Sequence, residues 1–280
     1  MEKRKPFRIG ILLMNDELNK PGLKYLLLSM NRVQSHFEYS VLDYPTSDAV
    51  IKALTTGQTV DREKTLKPAL VGFRGRYAEW ARSEATNLGM VPQETDALVV
   101  ISCATFSDNF YSTRNDGVSV IALGHWERFM APPSLAEFIQ GLIVRESIAR
   151  ICKPLSGSVH LETRGCICDF TVDLDEARLK ILSGYICHSC RTILAEHCSD
   201  AVISDLTVLL TKDWLGSLDD PKSVAATLKK LGLDLFHSSG IQPTLRERVV
   251  QLLVEESTKE AVKWSFVIAL AVFGLSALAD

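Results

Sequence analysis

His160-Leu161-Glu162-Thr163-Arg164-Gly165-Cys166-Ile167-Cys168, followed after a short insert by Cys187-His188-Ser189-Cys190, is the stretch on which the reading of this chain turns. With Cys198 it gathers five cysteines and a histidine at position 160 into 39 residues. Zinc takes four soft or borderline ligands in a tetrahedron, and two close pairs separated by a helix-length insert can supply them. The two residues between Cys187 and Cys190 let a tight turn aim both thiolates at one ion. Asp173–Leu182 reads as the short helix that returns the chain. A lone CxxC also fits a redox dithiol or two unrelated buried thiols, but the additional donors just upstream favour zinc. The expected ligands are His160, Cys166, Cys187 and Cys190. Cys168 competes for the place of His160, because Cys166 and Cys168 point to the same side of an extended segment. Cys198 and His188 are weaker candidates, and Cys103 and Cys152 read as core residues. Four protein ligands leave no open position for water, so such an ion is structural and contributes ~10 kcal/mol or more to folding.

Working outward, the first third of the 280-residue chain alternates apolar runs with helical patterns. Strands are predicted at Phe7–Met14, Phe37–Leu42, Ala97–Ser102 and Val118–Leu123. Helices are predicted near Leu23–Val33, Asp48–Leu54 and Arg76–Leu88. Gln58–Lys67 reads as a loop, and so does Phe106–Asp116, which carries Asp108, Asn109, Phe110, Tyr111 and Arg114. The clearest helix is Leu135–Ile151. Pro133 precedes it, Ser134 and Glu137 form a capping box, and Leu135, Phe138, Ile139, Leu142, Ile143 and Ile148 mark an apolar stripe. Downstream of the cysteines Ile203–Leu215, Ser223–Leu231 and Thr244–Glu256 read as helices. The fold class is therefore α/β, with a mixed sheet, followed by an α-helical C-terminal segment.

Composition narrows the function classes. A formal charge of −3 gives no basic face for nucleic acid. Seven cysteines, an odd number, in a chain without a recognisable signal sequence argue for reduced thiols or metal ligands over a disulfide framework. Trp264–Ala279 has no charged residue. Its sixteen residues span about 24 Å as a helix, against a hydrocarbon core of about 30 Å. Lys259 and Lys263 on its N-terminal side fit a cytoplasmic body and a C-terminal membrane anchor. A buried terminal helix, or one that packs on a partner, is the alternative.

The cysteine segment resembles that of the archaemetzincins, a branch of the metzincin zinc peptidases. Their pattern runs from a helical HExxH to a third histidine followed at once by cysteine, a second cysteine four residues on, a methionine turn and a distant CxxC. The resemblance places His160 at the third histidine, Leu161 at the first cysteine, Cys166 at the second, Cys168 at the turn methionine, and Cys187 with Cys190 at the CxxC. It covers roughly Arg8 to Leu194 and implies a metzincin-like α+β domain whose cysteines hold a structural zinc. The departures bear on activity. Arg145-Glu146-Ser147-Ile148-Ala149 stands where HExxH belongs, so Glu146 keeps the general-base position while Arg145 and Ala149 replace the two metal-binding histidines. Neither can ligate zinc. Leu161 also removes one structural ligand.

The resulting expectation is a catalytically degenerate, zinc-stapled binding or signalling module that takes a protein or peptide partner. The alternative is an active zinc metallopeptidase with ligands rearranged around Glu146, His125 being the other nearby histidine. Redox sensing by the zinc thiolates is a third reading. The expected organisation is a pseudo-peptidase domain over 1–200, a helical adaptor over 201–256 and an apolar helix over 257–280.

Overall fold

The structure, a computed structural model, describes residues 5–14, 18–55, 59–92, 94–124, 126, 130–157, 160 and 165–233. The helix expected at Thr244–Glu256, the apolar stretch Trp264–Ala279, His125 and Leu161 lie outside the described residues. Among those described, no helix is long and apolar enough to cross a membrane.

The chain opens with β1 (Phe7–Leu13), α1 (Lys20–Arg32), β2 (Phe37–Leu42) and α2 (Ala49–Thr55). There follow β3 (Thr59–Val60), a π-helical turn over Arg62–Leu66, α3 (Lys67–Leu70), α4 (Phe73–Asn87) and β4 (Ala97–Ser102). Gln58–Lys67 is thus not the expected loop. Asp61 accepts hydrogen bonds from the backbone N–H groups of Glu63 and Lys64, which starts a helical turn inside a polar stretch. Next come β5 (Thr105–Phe106), β6 (Ser112–Asn115), β7 (Val118–Ala122) and α5 (Leu135–Ile151). The described chain closes with α6 (Leu174–Ser183), α7 (His188–His197), α8 (Asp200–Thr211) and α9 (Val224–Lys230).

Five strands form a mixed sheet in the order β2-β1-β4-β7-β6. All neighbours are parallel except β6, which runs antiparallel to β7 and pairs Arg114 with Ser119. The segment read as a loop at Phe106–Asp116 therefore contains the sheet's outer strand. Its turn is Asp116-Gly117, with φ of 46° and 78°. A dipeptide of this kind closes a tight hairpin because both positions need positive φ.

Every residue of β4 and of β7 is buried. Side chains alternate between the faces. Ile9, Ile11, Val99, Ile101 and Ile121 join a core with α1 and α5, while Leu12, Leu98, Val100, Val118 and Val120 join a second core with α2, α3 and α4. Helices thus cover both faces of the sheet, which is why its central strands read as continuous apolar runs.

Helix α5 positions everything that follows. Its capping box is formed: Ser134 Oγ accepts from Glu137 N–H at 3.2 Å and Glu137 Oε2 accepts from Ser134 N–H at 2.9 Å. Every residue of the helix from Leu135 to Ala149 except Glu137 is buried, beyond the single stripe expected. The sheet lies against one side of it and α6 and α8 against the other. At Gly141 an added Cβ would lie 2.4 Å from Ile181 Cδ1, so the missing side chain lets α6 approach closely. Gln140 Nε2 donates to the Leu209 carbonyl at 2.8 Å and ties α5 to α8. Ile203, Leu206, Leu209, Ala225, Leu228 and Leu233 all belong to the same core as α1 and α5. The described part of the segment 201–256 is therefore packed on that core.

Candidate metal centre and the cleft lined by α5

Two short bridges and one helix start build the centre. Gly165, at φ 75°, leads into a tight turn in which Asp169 N–H donates to the Cys166 carbonyl and Cys166 N–H to Asp169 Oδ2. His160 pairs with Asp169, and Cys166 with Tyr185, as isolated β-bridges. Cys187 caps α7 and Cys190 lies in its first turn. That helix was not anticipated between the CxxC and Cys198. It matters here, because unpaired backbone N–H groups at a helix start favour negatively charged thiolates.

These elements bring together His160, Cys166, Cys187 and Cys190, whose donor atoms all lie within 4.8 Å of one another. His160 Nε2 is 3.0 Å from Cys187 Sγ and 3.2 Å from Cys190 Sγ, and the sulfurs of Cys166 and Cys190 are 3.9 Å apart. A tetrahedral zinc with sulfur at about 2.3 Å and nitrogen at about 2.0 Å sets edges of about 3.8 Å between sulfurs and about 3.5 Å from sulfur to nitrogen. The donor set and its spacing fit zinc. Cys166 and Cys190 are fully buried and His160 nearly so. The N–H groups of Cys168 and Cys187 each donate to Cys166 Sγ at 3.4 Å.

Cys168 falls outside this group of four, although its thiol sits against those of Cys166 and Cys190. Hydrogen bonds from these two neighbours pull it down to about 3, and the same neighbours push Cys190 up. His188 is exposed at the start of α7, and Cys198 follows its last turn. Burial raises the thiols of Cys198 and Cys152.

On another side of α5 opens a cleft of about 960 Å³, lined by β6, α5, the segment after α5, the Asp169–Thr171 segment and α6. Arg145, Glu146 and Ala149 all line it. The Glu146 carboxylate is 3 % exposed and held by the Arg114 guanidinium, Nε to Oε2 at 2.5 Å and Nη2 to Oε1 at 2.6 Å. Burial alone would raise its pKa, but Arg114 outweighs burial and holds it below the usual carboxylate range. The paired carboxylate in turn raises Arg114 against its own burial. Arg114 also donates to the Ser156 carbonyl. Arg145 is buried, with Nη2 donating to the Gly157 carbonyl at 2.7 Å. Lys180, buried on α6, donates to Tyr111 Oη at 2.8 Å and the Asp169 carbonyl at 3.0 Å, and Tyr111 Oη also bonds Thr171 Oγ1.

Glu146 is therefore not surrounded by metal donors. Among the described residues the His160 group is the one place where three or more such side chains converge. His160 belongs to the cysteine cluster. Arg114 was read as part of a loop lining a binding surface, whereas Arg150 and Lys180 escaped sequence reasoning as parts of a site. The Asp116-Gly117 turn was the signal that could have found β6, and with it Arg114.

No family model matches the chain, and no curated protein matches it. Two solved structures are similar to it. One is a zinc-dependent peptidase from Methanocorpusculum labreanum, 15% identical, with a TM-score of 0.41 over 66% of this chain and 99% of that one. The other is an archaemetzincin from Methanopyrus kandleri, 12% identical, with a TM-score of 0.40 over 70% of this chain and 98% of that one. At these scores the likeness is weak, and what the chain does has to be read from its own residues.

Proposed function

We propose that this protein is a zinc-stapled, non-hydrolytic binding module, whose cleft recognises an extended peptide along the edge of β6. The observation that carries this reading is the Glu146–Arg114 pair. A general base must be free to take a proton from a metal-bound water. Here both carboxylate oxygens are engaged by a guanidinium, and the positions flanking Glu146 on its helix hold Arg145 and Ala149. Strand β6 supports peptide recognition, being one of the sheet's two edge strands, with β2 the other, and a wall of the cleft. An extended chain can add to such an edge through main-chain hydrogen bonds.

The test is a cleavage assay on unstructured peptides with the zinc-loaded full chain, beside direct binding of the same peptides. Binding without cleavage, in the wild type and in Glu146→Gln alike, is the expected result. Turnover that Glu146→Gln abolishes would establish the rearranged-peptidase alternative. A membrane tether through Trp264–Ala279 completes the proposal, on the strength of that stretch's uncharged length. Co-sedimentation of the full chain with phospholipid vesicles, lost on Ile268→Asp, is the expected outcome. Equal sedimentation of both would remove the tether from the reading.

A further inference from the structure

The cleft carries more positive charge than it neutralises. Seven cationic side chains and three carboxylates line it. Arg114 is matched by Glu146 and Arg62 by Asp108. Arg145 and Arg150 have no carboxylate within ion-pair distance among the described residues. Arg145 is 5 % exposed, yet its Nη1 has no hydrogen-bond partner there. The same holds for Nε of Arg150, whose Nη2 donates to Ser119 Oγ at 2.9 Å. An unpaired donor on a buried guanidinium is expensive, because the charge has left water without gaining an acceptor. Burial lowers the pKa of Arg150; the nearby Glu146 carboxylate opposes that shift, and repulsion from Arg114 and Arg74 adds to it. Lys153, exposed on the rim, adds a further unmatched cation.

We infer that the cleft is an oxyanion receptor, in which Arg145 on the wall, with Arg150 and Lys153 nearby, takes a carboxylate or phosphate group of the bound ligand. Guanidinium groups present planar pairs of donors that match both kinds of oxyanion. Arg145 stands where the resemblance would put a metal-binding histidine, so a fixed side-chain cation occupies the position of a metal ligand. The inference deepens the peptide-binding reading and rests on it in taking the cleft as a recognition site.

The experiment is calorimetric titration of the full chain with inorganic phosphate at constant ionic strength. The same titration is run with an extended peptide bearing phosphoserine or aspartate and with its neutral serine and asparagine analogues. Phosphate and the acidic peptides are expected to bind. Arg145→Met should weaken both about tenfold or more, the loss expected when a charge-assisted hydrogen bond is removed. Arg145→Lys should restore part of it, and Lys222→Gln, exposed and away from the cleft, should change nothing. Zinc content and the melting curve report whether Arg145→Met is folded. If it is not, Lys153→Gln gives the same test from a solvated position, with an expected loss of about threefold. Phosphate binding without peptide binding keeps the oxyanion receptor and removes the extended-peptide reading. Acidic and neutral peptides bound equally, with phosphate unbound, remove the receptor and keep the peptide reading. Binding that is equal in wild type and Arg145→Met also overturns the inference.

Discussion

The metal centre and the cleft are opposite solutions to burying polar groups. Around His160, Cys166, Cys187 and Cys190 the donors are soft and electron-rich, and nothing cationic is among the four. Around Arg145 and Arg150 the groups are cations, and the nearby carboxylate of Glu146 is already taken. Each region holds the charge that a missing partner would balance. One calls for a metal ion and the other for an anion. The first is ringed by four buried or half-buried protein donors and the second opens to solvent, which is the difference between a closed structural site and an accessible one.

The largest effect should come from the metal centre. Chelation, or Cys190→Ser, is expected to remove about one zinc per chain together with cooperative unfolding, since a structural ion contributes ~10 kcal/mol. Elemental analysis beside a melting curve checks this. An unchanged melting temperature after the metal is gone would erase the contrast between the regions.

Next in size is Arg114→Met, which strands a buried carboxylate and should destabilise by about 3–5 kcal/mol at neutral pH. The pH dependence sharpens the point. In the wild type the folded pKa of Glu146 is lowered. Its contribution is therefore present above the unfolded value of about 4.3 and lost as pH falls through the folded one. Without Arg114 burial dominates, the folded value rises, and the deficit should shrink as pH falls. The quantity to measure is the stability difference from wild type at each pH, so that metal release is shared by both. A deficit that grows on acidification would contradict the pairing.

Smaller again is Gly141→Ala, which pushes a methyl group towards Ile181 on α6. About 1–3 kcal/mol is expected, with folded zinc stoichiometry unchanged. Denaturant unfolding reads the loss, and an effect near zero would mean that Ile181 rotates away freely. Least of all is Asp205→Asn, remote from both regions. Burial would raise the Asp205 pKa, but hydrogen bonds from Ser35 N–H and from His36 lower it overall. His36 Nδ1 lies 2.7 Å from Oδ2. The substitution should cost about 1 kcal/mol at neutral pH and progressively less below about pH 4, as the wild-type carboxylate itself protonates. A loss that persists in acid would show that packing, not charge, links α8 to the chain before β2.

How much was legible followed from how local each signal is. The α5 helix, with its Ser134–Glu137 box, was readable because capping and periodicity act within a few residues. The strands at Ala97–Ser102 and Val118–Ala122 were readable as apolar runs. The outer strand β6 was not, since Ser112-Thr113-Arg114-Asn115 is polar and becomes a strand by pairing with β7. Helix α7 was not legible either, since its first turn, His188-Ser189-Cys190, carries no apolar periodicity.

By itself the sequence determined the α/β order of elements, the candidate donors, and the presence of Arg145 and Ala149 one residue before and three after Glu146. These are matters of residue identity and of spacings shorter than one element. Only the tertiary structure decided that Cys168 stands outside the four mutually close donors, and that Glu146 is locked by Arg114 from 32 positions away. It alone gathers Arg145, Arg150 and Lys180 from two helices into one cleft. Electrostatics acts through space, so the balance of charge in a cavity is set by which distant segments line it.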